Sequence, residues 1–221
     1  MIFRYQESHV LKRTRIKICG ITRASDLIDA THLGADAIGL VFAEQSPRRV
    51  SIADAKIILT ELAPFITVVG LFMNSPSDLI HEAVDQLPIS VLQFHGDESG
   101  DFCRQFARPY IKAVPMGGCT TQELEVYLRD YPDAQGFLVD SHVPGGAGGQ
   151  GQVFDWKKLS VTFPRPLILA GGLTPENVRQ AVIEVNPYAV DVSSGVEAAK
   201  GIKEYGKMRS FIEEVRRAHT N

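Results

Sequence analysis

Cysteine is scarce in this chain of 221 residues: there are three, Cys19, Cys103 and Cys119, with no CxxC pair among them. So few, so spaced, they suit neither a disulfide framework nor a zinc site. No apolar run is long enough to span a bilayer, and the opening MIFRYQESHVLKRTR lacks the apolar centre of a secretory signal. Neither sign of charge dominates, with 23 basic and 26 acidic residues and a net charge of −3, so no broad basic face for nucleic acid is expected. No GxGxxG fingerprint follows the first strand-like run. These absences point to a reducing, cytoplasmic setting without nucleic acid or membrane as partner.

What is present is a repeating alternation. Short β-branched runs occur at IKICG, AIGLVF, ITVVGLF, ISVLQFH, YIKAVP, GFLVD, PLILAGG and AVDVSSG, with strand ends at residues 19, 42, 72, 95, 115, 140, 170 and 193. Helical patterns lie between them. SIADAKIILTELA begins at Ser51, a good N-cap; SPSDLIHEAVDQL and TPENVRQAVIEV predict caps at Ser75 and Thr174, each with proline in the first turn; IKEYGKMRSFIEEVRRAH predicts the last helix. Eight strands alternating with helices at this spacing predict an α/β fold, a single-domain (β/α)8 TIM barrel over residues 15–221, with residues 1–14 as an extension before it. The alternative is an open doubly wound sheet, which usually has fewer strands.

In such a barrel the chemistry collects at the carboxyl ends of the strands. There the sequence places Cys19, SPRR with Arg49, His95 followed by GDE, Asp140, the glycine-rich PGGAGGQGQ, AGGL and SSGVE. Gly171, Gly172, Ser194 and Gly195, after strands seven and eight, form a candidate phosphate cradle, because glycine backbone N–H groups can approach an anion closely. Strand alternation turns Lys17 inward beneath Cys19, and a buried ammonium needs a partner. Asp191, on the strand that closes against the first, is the predicted partner, and the Lys17 charge is expected to favour thiolate at Cys19. The same parity turns Gln93 and His95 inward together, and likewise Leu138 and Asp140. Each residue alone has a blander reading: Cys19 as a small buried hydrophobe, Asp140 as a cap, Arg49 as a solvated charge, His95 as a hydrogen-bonded structural residue.

The motifs KICGIT, GADAIGLVF, SPRRV, LQFHGDE, LVDS, GGQGQVFDW, LAGGLTPENV and VDVSSGVE run in order from Lys17 to Glu197. Together they closely resemble the phosphoribosylanthranilate isomerase family of tryptophan biosynthesis. The resemblance implies an isomerase that converts N-(5-phosphoribosyl)anthranilate to 1-(2-carboxyphenylamino)-1-deoxyribulose 5-phosphate by an Amadori rearrangement, without cofactor or metal. It implies Cys19 as general base, Asp140 as general acid, Arg49 at the anthranilate carboxylate, and the loops with Gly171, Gly172, Ser194 and Gly195 at the phosphate. Lys17, Asp191, Gln93 and His95 are possible supporting residues. The implied partner is a small phosphosugar-anthranilate substrate, with the chain a monomer or homodimer. Two departures stand out: Glu204, where relatives usually carry Lys-Asp in that segment, and extra glycines at 145–149. A histidine-pathway isomerase would use two aspartates, against which Cys19 argues. A non-catalytic barrel that only binds a phosphorylated aromatic ligand would not need both Cys19 and Asp140.

Overall fold

The run RIKIC forms strand β1 (Arg15–Cys19) in the computed structural model, which describes residues 13–116, 120–140 and 163–220. Among the described residues it is followed by β2 (Ala37–Val41), β3 (Thr67–Phe72), β4 (Val91–Phe94), β5 (Tyr110–Pro115), β6 (Gly136–Asp140), β7 (Leu167–Leu169) and β8 (Ala189–Val192). All pair in parallel in sequence order, and β8 closes on β1 with Asp191 opposite Lys17. Closure removes both sheet edges and excludes the open sheet.

Alternation along the strands divides the buried residues into layers. Ile111, Ala113, Leu138, Ile168, Ala170 and Ala189 form one cluster, and Cys19, Val41 and Ala43 form another with Leu71 and Met73. Strand residues of the opposite parity, such as Ile16, Ile18, Leu40 and Val190, belong to the main core with Leu27 and Ala30 of helix α1 (Ala24–Leu33) and Phe211 and Ile212 of helix α7 (Tyr205–Arg217). Burying one such Leu, Ile or Phe side chain contributes roughly 1.5–3 kcal/mol.

Helix starts follow the sequence in part. Helix α2 (Ile52–Ile58) has the predicted cap, with Ser51 and Asp54 in a reciprocal capping box. Helix α3 (Ser77–Gln86) instead starts after Pro76, and Ser75 is buried at the barrel mouth. Helices α4 (Gly100–Arg104) and α5 (Thr121–Arg129) are capped by Ser99 and Thr120. Helix α6 (Val178–Val185) begins later than the Thr174–Pro175 signal suggests, with Asn177 at its N-cap. The last helix also starts late, because Ile202–Lys203 (β10) pairs with Glu197–Ala199 (β9) before it. Glu204 then caps α7, its carboxylate accepting from the Gly206 and Lys207 N–H groups at 2.8 and 2.7 Å. Just before β1, the Thr14 hydroxyl donates to the Pro187 carbonyl, and Arg13 pairs with Asp36. The rest of the predicted extension, 1–12, and the PGGAGGQGQ stretch lie outside the described residues.

A buried ion pair ties two mouth loops to the wall. The fully buried Lys112 of β5 donates to the Gly96 carbonyl and to Glu98 Oε2 at 3.1 Å. The same carboxylate accepts from the Asn74 N–H at 2.7 Å and the Gly96 N–H at 2.9 Å, so the loops after β3 and β4 share one anchor. Lys112→Met would leave Glu98 buried without its counter-charge. It should cost about 3–5 kcal/mol in a denaturant titration, and a loss below about 1 kcal/mol would show that the backbone N–H groups suffice to hold the carboxylate.

Candidate active site

The carboxyl ends of the strands surround a cavity of about 560 Å³. Cys19 from β1, Gln93 from β4, Asp140 from β6 and Asp191 from β8 all line it, together with His95 just beyond β4. The sequence-predicted chemistry therefore converges on one space. One side of that space is apolar, formed by Val41, Phe42, Leu71, Met73 and Leu79 from β2, β3 and the segments after them. The other is formed by Gly171, Gly172, Ser193 and Ser194.

At the base of the cavity Lys17 Nζ donates to Asp191 Oδ2 at 2.9 Å, with both side chains nearly buried. Burial works against the Lys17 ammonium, but the Asp191 charge, and after it Cys19, more than offset it and raise the pKa. Cys19 is 6 % exposed. Burial dominates there and pushes the thiol above its ordinary value; Lys17 pulls down, while Asp191 pushes up. This corrects the expectation of a depressed thiol. The Lys17 ammonium does favour the thiolate, as expected, but burial outweighs it.

Across the barrel, His95 Nε2 lies 3.5 Å from Asp140 Oδ2, and His95 Nδ1 is 3.2 Å from Gln93 Nε2. With the amide so oriented, Gln93 donates to Nδ1, and the imidazole proton falls on Nε2, facing Asp140. Gln93 Oε1 and Asp191 Oδ1 are buried and have no hydrogen-bond partner among the described residues.

The glycine loop after β7 has the backbone a cradle needs, with φ of 80° at Gly171 and 64° at Gly172. Asn177 pins it: its Nδ2 donates to the Gly172 carbonyl at 2.9 Å, and its Oδ1 accepts from the Thr174 N–H at 2.8 Å. Ser194 lines the cavity, whereas Gly195 backs onto the Leu173 carbonyl, where a side chain would not fit. The lack of a side chain at Gly195 therefore allows the close approach of two loops.

Two arginines border the cavity. Arg49, singled out by the sequence, is exposed. Arg48 is buried, and its Nε and one terminal nitrogen donate to Glu197 at 2.7 and 2.8 Å. Glu197 also accepts from Lys203 at 2.8 Å, and Lys203 reaches the Ser193 carbonyl at 3.2 Å. Burial pushes the Glu197 carboxyl up, but the Arg48 and Lys203 hydrogen bonds and charges together hold it below the ordinary glutamate value.

A family model described as N-(5'-phosphoribosyl)anthranilate (PRA) isomerase matches residues 16–214. The chain belongs to that family. It is 49 % identical over 206 residues to the N-(5'-phosphoribosyl)anthranilate isomerase of Stenotrophomonas maltophilia (strain R551-3), covering 93 % of this chain and 94 % of the relative. The Nitrosococcus oceani enzyme is 51 % identical over 200 residues, covering 90 % of this chain and 96 % of its own. Among solved structures, phosphoribosyl anthranilate isomerase from Thermotoga maritima superposes with a TM-score of 0.83 at 40 % identity, covering 92 % of this chain and 98 % of that one. A phosphoribosyl anthranilate isomerase in complex with reduced 1-(o-carboxyphenylamino)-1-deoxyribulose 5-phosphate gives 0.78 at 38 % identity, covering 92 % and 98 %.

For this member of the PRA isomerase family, sequence reasoning passed over Arg48, Lys203 and Asn177. Asn177 has a legible signal, since asparagine three residues after Thr174 suits a cap. Arg48 had none that separates it from Arg49, because strand parity ends with β2. The direction found for Cys19 sets a test. Its alkylation by iodoacetamide, followed on the Cys19 peptide by mass spectrometry, should be slow at pH 7 and accelerate only on the alkaline side of an ordinary thiol. Full reactivity at pH 7 would mean that Lys17 outweighs burial.

Proposed function

We propose that this chain converts N-(5-phosphoribosyl)anthranilate into 1-(2-carboxyphenylamino)-1-deoxyribulose 5-phosphate, the isomerisation step its family carries in tryptophan biosynthesis. The observation that carries the reading is the convergence of Cys19 and Asp140 on one cavity whose remaining walls suit the two ends of that molecule. The apolar side suits the aromatic ring, and the glycine loop with Ser194 suits the phosphate. Gln93 Oε1 and Asp191 Oδ1 would gain donors from the sugar hydroxyls. The relative solved with the reduced product analogue supports the same ligand class. A cytoplasmic location goes with this reading; among the described residues no helix is long and apolar enough to cross a membrane.

In the proposed sequence Asp140, protonated, gives its proton to the furanose ring oxygen as the anilino nitrogen displaces it. The ring opens to a cationic Schiff base, and Asp140 is left as carboxylate. Cys19, having given its thiol proton to solvent, then takes as thiolate the proton from sugar C2, whose electrons flow into the C=N bond to give the neutral enolamine. Tautomerisation yields the ketone. The cationic intermediate offsets the burial that disfavours the thiolate in the free protein. We place the anthranilate carboxylate against the arginine pair, with Arg48 the stronger partner: a guanidinium held in place and shielded from water binds a carboxylate better than an exposed one.

Turnover of freshly prepared substrate, followed by anthranilate fluorescence, tests the reading. Cys19→Ser and Asp140→Asn should each lower kcat by roughly 10²–10⁴ and still bind the reduced product analogue with near-parental affinity. Parental turnover in either variant would remove that residue from the chemistry, and lost binding in Asp140→Asn would make it a ligand-holding group. Arg48→Ala should raise KM by about tenfold or more, and Arg49→Ala by less. The reverse order would return the carboxylate contact to Arg49.

A further inference from the structure

Gly39 lies in the middle of β2, directly opposite Cys19 in the β1–β2 register. It is neither at a turn nor in the left-handed region, and it does not line the cavity. Glycine in a strand interior weakens the strand, so its presence there points to a close approach. A Cβ built on Gly39 would lie 2.8 Å from Cys19 Sγ, 3.1 Å from Lys17 Cε and 3.2 Å from Cys19 Cα. The Gly39 carbonyl also accepts from the N–H groups of both Gly20 and Ile21, at 2.9 and 3.0 Å, and so holds the chain directly after Cys19. One residue thus leaves the space for the thiol and for the lysine stem, and fixes the backbone that leaves the strand beyond them.

We propose that Gly39 is a positioning residue for the isomerisation: the absence of its side chain forms the socket that sets where the Cys19 sulfur stands over the cavity and how closely it packs on Lys17. This rests on Cys19 being the base of the proposed reaction. With a methyl group at position 39, the sulfur must move, because the β1 backbone is fixed on both sides by β2 and β8. A displaced sulfur reaches sugar C2 poorly, whereas the substrate-binding walls stay where they are. A proton acceptor misplaced by a fraction of an ångström loses rate with little loss of binding.

The experiment compares Gly39→Ala in the parent and in a Cys19→Ala background. In the parent, kcat should fall about tenfold or more, with KM within about twofold of the parental value, and the pH midpoint of Cys19 alkylation should shift. In the Cys19→Ala background the clashing sulfur is gone, so Gly39→Ala should lower the denaturation midpoint much less than it does in the parent. If Gly39→Ala alone does not fold, folding of the double variant supports the socket, and failure of both overturns it. Equal destabilisation in the two backgrounds, or parental kcat with an unshifted alkylation profile, would reduce Gly39 to a structural glycine. The alkylation and denaturation readouts need no turnover. A failed reaction assignment would leave them intact, while a failed socket would not.

Discussion

The Lys17–Asp191 pair joins the first strand of the barrel to the last, and much else in the site follows from it. The two residues face each other in register where the barrel closes, so the charge pair and the closure are satisfied by one geometry. A lysine at that depth without its carboxylate would be an uncompensated buried charge. The pair also decides the chemistry one layer above. Asp191 opposes part of the pull of Lys17 on Cys19, and burial sets the direction of its pKa.

Two further ionic clusters brace the mouth. Lys112 and Glu98 tie together the loops after β3 and β4, while Arg48, Glu197 and Lys203 tie the loop after β2 to the segment after β8. Asn177 does the same for the glycine loop through neutral hydrogen bonds. The proposed base and acid, Cys19 and Asp140, themselves stand on strands, which position side chains more rigidly than loops do. The braces restrict the loops that form the walls, so that the surfaces proposed to receive ring, sugar and phosphate are fixed in advance.

The barrel was legible because its signal is periodic. Runs such as RIKIC and GFLVD are β-branched or apolar through both faces, as strands buried on both sides must be, and their ends fall within one residue of the expected positions. Parity then placed Lys17, Gln93, His95 and Asp140 correctly, since alternation is a property of the strand alone. Legibility ended where geometry stops being local. The Ser75 and Thr174 signals compete with tertiary contacts: Ser75 is drawn into the mouth, and the Thr174 N–H is taken by Asn177. Arg48 and Arg49 are identical in type and adjacent, and only the position of Glu197, 149 residues away along the chain, decides which is buried. The sign of the Cys19 shift was unreadable for a related reason. It is a balance between burial and two opposite charges, and a sequence gives the charges without the burial.

That balance bears on how Cys19 would act as the proposed base. A thiol held protonated by burial is a poor nucleophile, which protects a cysteine at an open cavity mouth from alkylation and oxidation. The same burial makes the thiolate, once formed, a stronger base than one stabilised by a permanent cation would be. The charge that draws the thiol towards ionisation need not reside in the protein. In the proposed reaction, ring opening would create it on the substrate nitrogen, next to the carbon whose proton must be removed, once Asp140 had protonated the ring oxygen. Reactivity would then be coupled to the presence of the correct ligand, because only a molecule whose ring can open under acid catalysis generates the cation. Burial, against the pull of Lys17, keeps the resting thiol protonated, while the Lys17–Asp191 pair holds the strand that carries it.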